Sequence, residues 1–455
     1  MSAAKFRPAS SAADTGKVNP RALALALFSS YRSAGKYANL ALSSPALDGL
    51  GAEDRAFVTA LFYAAVERRL GNEYLICALA GRGREDIFDS TFDLLSIGLT
   101  QILYMDGVPD FAAVHETVAL ARERGERAFV NAVLRAAVHH REQGTLPYPD
   151  REKNPARYLS VFYSFPIGTV RLFLSLFGEE DAERLLGVFN RVAPLTVAVN
   201  LAAISREECL SMFAKAGFPA APTAYSPMGI RLSSTVSPAL LPGFAEGLFF
   251  VQDEASQIAA CALGVRDGAS VIDVCAAPGG KSFAVASMTH GSAHIRAFDL
   301  YEGKLSLIES GRERLGFSQF SVAARDACDT DPTLAGCADA VICDVPCSGL
   351  GVLGKKPDLR YRAPSPDLPD LQYRILTASA TYLKAGGRLL YSTCTLNPSE
   401  NEEVVSRFLA SHPDFSPIAF SVGSLRADRG ELTLLPHVHG TDGFYLSLLR
   451  KGDES

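Results

Sequence analysis

The feature that most constrains the fold is an alternation of short apolar strands with tight turns and helices that begins near residue 268. Five such runs follow one another in the C-terminal part of the chain: ASVIDVC, HIRAFDL, FSVAARD, DAVICDVP and GRLLYSTC. This alternation is typical of a parallel sheet that carries helices on both faces. Ligands of such sheets bind at the carboxyl ends of the strands, so the residues at those ends are the first candidates for a site.

A glycine-rich turn follows the first of these strands, in the segment DVCAAPGGKS (273–282). Gly279 and Gly280 permit a close approach of the backbone to a ligand. The GxGxxG pattern of nicotinamide-binding proteins is absent, and Cys275 stands where a phosphate-binding P-loop requires glycine six positions before Lys281. The turn therefore argues against a dinucleotide or a nucleoside triphosphate as the ligand.

Acidic residues close four of the predicted strands around this turn. Asp273 closes the first strand, and Asp299, 26 residues later, closes the second at a spacing that suits a carboxylate accepting both hydroxyls of a ribose. Asp326 closes the third strand and Asp344 the fourth. A single aspartate at a strand end is more often a helix cap or turn former, but four around one turn favour a cofactor that contains a nucleoside.

Two of the nine cysteines follow strand ends, Cys347 in DVPCSGLG and Cys394 in YSTCTLNPSENEEV. The odd number of cysteines and the absence of any CxxC pair argue against a disulfide framework and a zinc ribbon. If the two strands are neighbours, both thiols face one pocket, although a disulfide or two inert buried thiols are the simpler alternatives.

Thiol chemistry has a specific use in methyl transfer to cytosine. A thiolate that adds to C6 turns C5 into an enamine carbon able to attack a methyl sulfonium. An acid is also required at N3 of the ring, and Asp344 is placed by sequence to supply it. The motifs alone leave open which thiol attacks.

The segments DVCAAPGGK, DVPCSGLG and YSTCTLNPSENE, in this order, resemble the Nop/Sun family of RNA 5-methylcytosine methyltransferases. The similarity runs from VQDEASQ (251–257) to PHVHGTDGFYLSLLRK (436–451). It implies that S-adenosylmethionine is the cofactor and that it is held by Cys275, Ala276, Ala277, Pro278, Gly279, Gly280, Lys281, Asp299, Asp326 and Asp344. It also implies that Cys394 is the nucleophile, that Cys347 assists product release, and that Lys281 orients the cofactor or the target base.

The N-terminal part reads as helix from about 20 to 142. Apolar residues recur at helical spacing in AEDRAFVTALFYAAVERRLG, from Phe57 to Leu70. The segments AVHETVALA (113–121) and RAFVNAVLR (127–135) resemble the RNA-binding helical domain shared with the antiterminator NusB. Fusion of that domain ahead of this catalytic core is characteristic of the Sun, or RsmB, branch, which implies bacterial 16S ribosomal RNA as the substrate.

The expected fold class is therefore multidomain: an all-α NusB-like bundle, a small α+β domain and an α/β doubly wound, Rossmann-like class I methyltransferase domain. We expect a loose tail over 1–19, the bundle over 20–145, the α+β domain over 155–265 and the methyltransferase domain over 266–455. No apolar run approaches the roughly 20 residues of a membrane span, and the N-terminus lacks a signal peptide. A cytoplasmic monomer without a membrane or metal partner is expected.

The net charge of −6 argues against an indiscriminate nucleic-acid binder, but a local basic surface remains possible. The loop GKKPDLRYR (354–362) and Arg127 and Arg135 of the bundle are candidates for phosphate contact, and ordinary solvated side chains are an equal alternative. The target cytosine must leave its stack, so single-stranded or loop RNA is expected.

Three other functions compete with this interpretation. The first is the same reaction on transfer RNA, because only the NusB-like domain favours the ribosomal substrate. The second is a non-catalytic RNA-binding assembly factor, which loss of the turn or of either Cys347 or Cys394 would have favoured. The third, a DNA cytosine methyltransferase, is disfavoured because its nucleophile lies in a PC motif without the TC partner found here.

Overall fold

The computed structural model describes residues 18–34, 45–233 and 236–453. Contacts within the chain divide it into one compact unit that ends at Leu176 and a second that begins at Phe177. Most of the expected tail over 1–19 lies outside the described residues. No single described helix is long and apolar enough to cross a membrane; the two helices over 155–189 meet that test only together, as a pair bent by 118°.

The first unit is helical, as the apolar spacing predicts. Its helices are α1 (Pro20–Ala34), α2 (Ala52–Glu67), α3 (Arg69–Ala80), α4 (Asp89–Tyr104), α5 (Asp110–Ala119), α6 (Arg124–Glu142), α7 (Pro155–Tyr163) and the start of α8 (Ile167–Phe189). Helix α4 is buried from Thr91 to Ile102. The hydroxyls of Ser96 and Thr100 donate to carbonyls four residues earlier, which satisfies these polar groups inside the bundle.

The apolar stripe from Phe57 to Leu70 does not belong to one helix. Helix α2 ends at Glu67, and Leu70 lies in α3. The backbone leaves the helical conformation at Arg68, where φ is −93° and ψ is 8°. The helical spacing of apolar residues continues across this break, so the sequence predicted one helix where there are two.

The second unit begins next to a break in α8, where Gly178 has a φ of +76°. A four-stranded antiparallel sheet follows in the order β2-β3-β1-β4, with strands β1 (Thr196–Val199), β2 (Ala220–Pro222), β3 (Gly229–Leu232) and β4 (Phe249–Val251). Helix α9 (Arg206–Lys215) packs on it and starts with a serine cap at Ser205. Ser205 Oγ accepts from the Glu208 amide, and the Glu208 carboxylate accepts from the Ser205 amide, which forms a capping box.

The large sheet of the second unit has the order β10-β14-β9-β8-β5-β6-β7, and β13 also pairs with β14. Its strands are β5 (Ser270–Asp273), β6 (His294–Asp299), β7 (Phe320–Ala324), β8 (Ala338–Asp344), β9 (Leu383–Thr393), β10 (Phe415–Pro417), β13 (Glu431–Leu434) and β14 (Phe444–Lys451). The connecting helices are α10 (Glu254–Leu263), α11 (Gly280–Met288), α12 (Glu302–Leu315), α13 (Leu368–Ala380), α14 (Glu402–Ser411) and α15 (Pro436–His439), and β11 (Phe420–Val422) and β12 (Leu425–Ala427) form a hairpin.

Strands β5 to β9 pair in parallel, which confirms the Rossmann-like prediction. The C-terminal strand β14 instead runs antiparallel to β9, a feature the strand pattern up to residue 394 could not show. Both faces of the sheet are buried. In β5, Val271 joins one apolar cluster and Ile272 the other, as expected when successive side chains point to opposite faces.

Candidate active site

The ends of four parallel strands meet at one edge of the large sheet. Asp273 ends β5, Asp299 ends β6, Asp344 ends β8 and Thr393 ends β9. The strand order reverses between β5 and β8, because β6 and β7 lie on one side of β5 while β8 and β9 lie on the other. A crevice outside the strand ends at such a reversal is where open α/β sheets bind ligands.

The glycine turn lies in this crevice and requires both of its glycines. Gly279 has a φ of +107°, and a Cβ there would lie 2.4 Å from Phe283 Cζ. Helix α11 begins at Gly280, where a Cβ would lie 3.2 Å from Gln252 Nε2. The Ala276 amide donates to the Phe298 carbonyl at 2.7 Å, which fixes the turn against β6. The thiol of Cys275 is buried, which raises its pKa and keeps it protonated.

The acidic residues at the strand ends have different surroundings. Asp299 is buried against the turn, and its carboxylate accepts from the amides of Ala277 at 3.3 Å and Tyr301 at 3.1 Å. Asp326 lies two residues beyond the end of β7, is exposed, and accepts from the Cys328 amide at 2.9 Å. The structure therefore brings Asp299 to the turn and leaves Asp326 at the rim.

Asp273 is the most deeply buried of these carboxyls. Its Oδ2 accepts from Ser282 Oγ at 2.7 Å, and its buried Oδ1 has no hydrogen-bond partner. Desolvation, with a smaller contribution from the nearby Asp344, raises the pKa of Asp273 from 3.8 to about 7, although the hydrogen bond from Ser282 acts to lower it. A carboxyl oxygen without a partner at the base of a ligand turn is a group that a bound ligand or water could satisfy.

The two predicted thiols lie together, with 3.3 Å between Cys347 Sγ and Cys394 Sγ. Strands β8 and β9 are neighbours, as predicted, and the Gly351 amide donates to the Cys394 carbonyl at 2.9 Å. All nine cysteines of the chain are free. The spacing is that of two hydrogen-bonded sulfur atoms, and it is too long for a disulfide.

The surroundings of the pair decide which thiol ionises. A hydrogen bond from Cys347 lowers the pKa of Cys394; burial and Asp344 oppose this, and the ammonium groups of Lys356 and Lys281 reinforce it. The same hydrogen bond raises the pKa of Cys347, and burial raises it further. Because both cations act on Cys394, we assign the thiolate to Cys394 and the proton to Cys347.

Lys281 connects the glycine turn to the thiol side of the crevice. Its ammonium is 2.6 Å from Asp344 Oδ2 and 5.0 Å from the centre of the Phe444 ring, and the side chain is 7% exposed. Ser392 Oγ donates to the other oxygen of Asp344 at 2.7 Å. The pair is thus fixed at the end of β8, beside both the turn and the cysteines.

Sequence reasoning missed Glu400 although it lies in the quoted segment YSTCTLNPSENE. The side chain is 1% exposed, and its carboxylate bonds to Ser348, the residue after Cys347. A glutamate six residues beyond Cys394 in an otherwise polar turn was the available signal. Its significance depends on a contact that spans 52 residues of sequence.

The basic loop at 354–362 is only partly available for phosphate contact. The Lys355 ammonium binds Asp253 and lies 2.9 Å from Asp442 Oδ2. Arg360 is buried and donates to the carbonyls of Leu353 and Phe189. These two side chains hold the loop in place by contacts within the chain, and phosphate contact by the loop stays a prediction.

The arginines predicted to contact RNA from the first unit lie on α6. Arg127 Nε donates to the Ala121 carbonyl, and Arg135 Nε donates to Asn131 Oδ1, both at 3.0 Å. Both residues are exposed. Among the described residues, no group of three or more His, Cys, Asp or Glu side chains is arranged to hold a metal ion.

Comparison with known proteins finds family matches in three parts of the chain. Residues 260–450 match the model of the 16S rRNA methyltransferase RsmB/F family, residues 18–139 match the NusB family, and residues 170–238 match the ferredoxin-like domain of RsmF/B-like methyltransferases. The crystal structure of PH0851 superposes with a TM-score of 0.75 at 23% identity, covering 96% of this chain and 99% of that one. This likeness shows the fold.

Two curated relatives match this chain over nearly their whole length. The probable ribosomal RNA small subunit methyltransferase B of Synechocystis sp. is 36% identical over 420 residues, which cover 88% of this chain and 92% of the relative. The protein of the same description from Bacillus subtilis is 31% identical over 451 residues, which cover 96% and 99%. Matches of this extent establish descent, and the chain belongs to the RsmB/F family of RNA methyltransferases.

Proposed function

We propose that this protein transfers a methyl group from S-adenosylmethionine to C5 of a cytosine in RNA, through a covalent bond between Cys394 and C6 of the base. The observation that carries the proposal is the pair of free thiols, 3.3 Å apart, beside a glycine turn at the strand ends of a methyltransferase fold. An N- or O-methyltransferase has no use for a thiolate at this position, whereas C5 of cytosine requires one.

The residues present fit S-adenosylmethionine. Gly279 and Gly280 leave the turn without side chains, so the backbone from Cys275 to Lys281 can lie against the cofactor. Asp299 ends the neighbouring strand, where a carboxylate can accept the ribose hydroxyls, and Asp326 lies at the rim beyond it. When bound, S-adenosylmethionine supplies an electrophilic methyl group. We propose that the turn, Asp299, Asp326 and Asp344 hold it there.

The first step that the chain performs is addition of a thiolate. Cys394 Sγ forms a bond to C6, the C5–C6 and C4–N3 double bonds are replaced by one between C4 and C5, and N3 takes up a proton. We propose that Asp344 delivers this proton and receives one from Lys281, whose ammonium donates to Asp344 Oδ2 at 2.6 Å. Ser392 and Lys281 each bond to one Asp344 oxygen, which fixes the direction of that carboxylate.

The second step restores the ring after C5 has gained its methyl group. A base removes the C5 proton, the electrons of that bond re-form the C5–C6 double bond, Cys394 leaves as a thiolate, and N3 returns its proton to Asp344. We propose that Cys347 assists this release, because its S–H lies next to Cys394 Sγ and can stabilise the departing thiolate.

The substrate is proposed to be bacterial 16S ribosomal RNA, on the strength of the relatives named above. We propose that the NusB-like domain over 20–145 and the α+β domain over 155–265 select and position the RNA, while the domain over 266–455 carries the chemistry. The target base is expected to come from single-stranded or loop RNA, where it can leave its stack.

Bisulfite sequencing of total RNA from the source organism, with and without this gene, tests the proposal. We expect one protected cytosine to disappear from small-subunit ribosomal RNA in the deletion strain and to return when the gene is restored. Loss of a cytosine in transfer RNA instead would retain the chemistry and refute the ribosomal substrate. If no site is lost, the protein acts as a non-catalytic assembly factor.

A further inference from the structure

Glu400 is a buried carboxylate between the two cysteine loops. It ends a short 3-10 turn (Pro398–Glu400) that follows β9, and it is 1% exposed. Its two oxygens accept four hydrogen bonds: from the Ser348 amide at 2.8 Å, Ser348 Oγ at 2.6 Å, Gln372 Nε2 at 3.0 Å and Asn397 Nδ2 at 3.0 Å.

All four donors are neutral. Within the described part of the chain, no lysine, arginine or histidine nitrogen lies within 4.0 Å of this carboxylate, in contrast to Asp344 with its Lys281 partner. Burial of a charge without a counterion is costly, and the four hydrogen bonds offset part of that cost. They bring no positive charge, so the negative field of the carboxylate acts on its neighbours.

The hydrogen bonds of Glu400 join the segments that carry both thiols. Ser348 directly follows Cys347, and its hydroxyl also lies 2.7 Å from Thr395 Oγ1, next to Cys394. Gln372 extends the same network, because its amide donates to the Pro346 carbonyl, just before Cys347, at 2.9 Å. The loop that carries Cys347 is thus held on both sides of the thiol.

The charged and titratable groups around the two thiols are distributed unequally. Glu400 and Tyr391 face Cys347, and the negative charge of Glu400 raises the pKa of Cys347 in the same direction as its hydrogen bond and its burial. Cys394 faces Asp344 but also the two cations Lys281 and Lys356. The thiol bonded to the Glu400 network is thus the one without a cation.

We propose that Glu400 is a positioning residue whose negative charge keeps Cys347 protonated and directed at Cys394, so that Cys394 is the thiol that attacks the base. This inference rests on the proposed function, in which the two thiols have different roles. It assigns the origin of that difference to a residue that touches neither the base nor the cofactor.

Alkylation of the free protein by iodoacetamide between pH 6 and 9, followed by mass spectrometry of the two cysteine peptides, tests the proposal. In the wild type we expect Cys394 to be alkylated faster than Cys347 throughout. In Glu400→Gln, loss of the charge should lower the pKa of Cys347, and a fall of one unit would reduce the Cys394-to-Cys347 rate ratio about threefold, because a more acidic thiol forms a weaker nucleophile.

Two control variants separate charge from position. Glu403→Gln removes an exposed carboxylate of the same segment and should leave the ratio unchanged. Ser348→Ala removes one hydrogen bond to Glu400 but retains its charge, so the ratio should stay within about twofold of the wild type, a shift of less than half a pKa unit. A Ser348→Ala ratio equal to that of Glu400→Gln would overturn the proposal.

The proposal would also be overturned if Glu400→Gln unfolded at the wild-type temperature and had the wild-type Cys394-to-Cys347 rate ratio. Faster alkylation of Cys347 than of Cys394 in the wild type would overturn it as well. If Glu400→Gln does not fold, Glu400→Ala takes its place, because it also removes the charge, and a fall in the ratio is again expected. An unchanged ratio there refutes the proposal. The assay uses neither RNA nor methyl donor. If the protein showed the expected rate ratio but methylated no cytosine, the proposed function would be refuted and the role of Glu400 would stand.

Discussion

The two compact units of this protein differ in how many charged side chains they bury. Among the described residues, one buried Asp, Glu, Lys or Arg lies in the first unit, Asp93, which pairs with Arg32 at 2.6 Å. Six lie in the second unit: Glu254, Asp273, Lys281, Asp299, Arg360 and Glu400. Burying a charged side chain costs stability, so buried charges are expected where a site needs fixed electrostatics. A surface that contacts phosphates can instead use exposed cations.

The largest effect should come from the nucleophile. Cys394→Ala removes the sulfur that must bond to C6, so methyl transfer should fall to background and no covalent RNA adduct should form. Transfer of labelled methyl groups to small-subunit RNA from the deletion strain measures this. Cys209→Ala, which removes a buried thiol of the small antiparallel-sheet region, is the matched control and should remain active. Residual methylation in Cys394→Ala would refute the assignment.

Cys347→Ala should stop the reaction at a later step than Cys394→Ala, after the covalent adduct has formed. Without the S–H that assists release, the adduct on Cys394 should accumulate and appear as a slower band on a denaturing protein gel that ribonuclease removes. The double variant with Cys394→Ala is the control and should show no such band. A band that forms with Cys394→Ala and not with Cys347→Ala would reverse the two roles while the reaction class survived.

Loss of the buried cation should have the next largest effect. Lys281→Met removes the ammonium that is proposed to supply a proton to Asp344, and the single-turnover rate should fall by about 10²–10⁴-fold, the usual contribution of general acid catalysis. The matched control is Lys384→Met, because Lys384 forms an equally short 2.6 Å pair with Asp339 at the opposite ends of β8 and β9. Equal losses in both variants would indicate a structural effect, not a catalytic one.

The sequence predicted those features of the site that are set by position along a strand. Asp299, Asp344 and the two cysteines follow strand ends, and parallel pairing brings strand ends together. Contacts between distant residues could not be predicted in this way. Ser348 meets Glu400 across 52 residues and Lys355 meets Asp253 across 102, so neither partner has a local pattern that marks it.

Within the first unit the same limit applied to helix ends. Helical spacing predicts which residues are apolar on one face, but it continues unchanged across the break at Arg68 that divides α2 from α3. The antiparallel β14 was missed for a related reason. Its pairing partner β9 lies more than 50 residues earlier in the chain, and an apolar run alone does not specify strand direction.

A buried carboxyl should also make stability depend on pH. The pKa of Asp273 is raised to about 7 in the folded protein, so between pH 4 and 7 the folded state retains a proton that the unfolded state has lost. The free energy of unfolding should therefore fall as pH rises through this window and level off above it. Asp442, whose pKa burial also raises to about 7, acts in the same direction.

Asp273→Asn should reduce the fall in the free energy of unfolding between pH 4.5 and 7.5 by on the order of 2–4 kcal/mol. Urea unfolding at several pH values measures it. Asp326→Asn, which removes an exposed carboxylate at the same edge of the sheet, is the control and should leave the slope as in the wild type. A slope unchanged by Asp273→Asn would mean that this carboxyl is solvated or satisfied in solution.

The smallest effect is expected from the surface of the first unit. Arg135→Ala should weaken RNA binding by less than about tenfold and reduce the dependence of log affinity on log salt by about 0.7, the value for one phosphate contact on single-stranded nucleic acid. The single-turnover rate at saturating RNA should not change. Arg55→Ala, an equal loss of charge on α2, is the matched control. If Arg135→Ala lowered the saturated rate instead, this arginine would act on the reacting geometry, and the contrast between a surface that binds and an interior that reacts would fail.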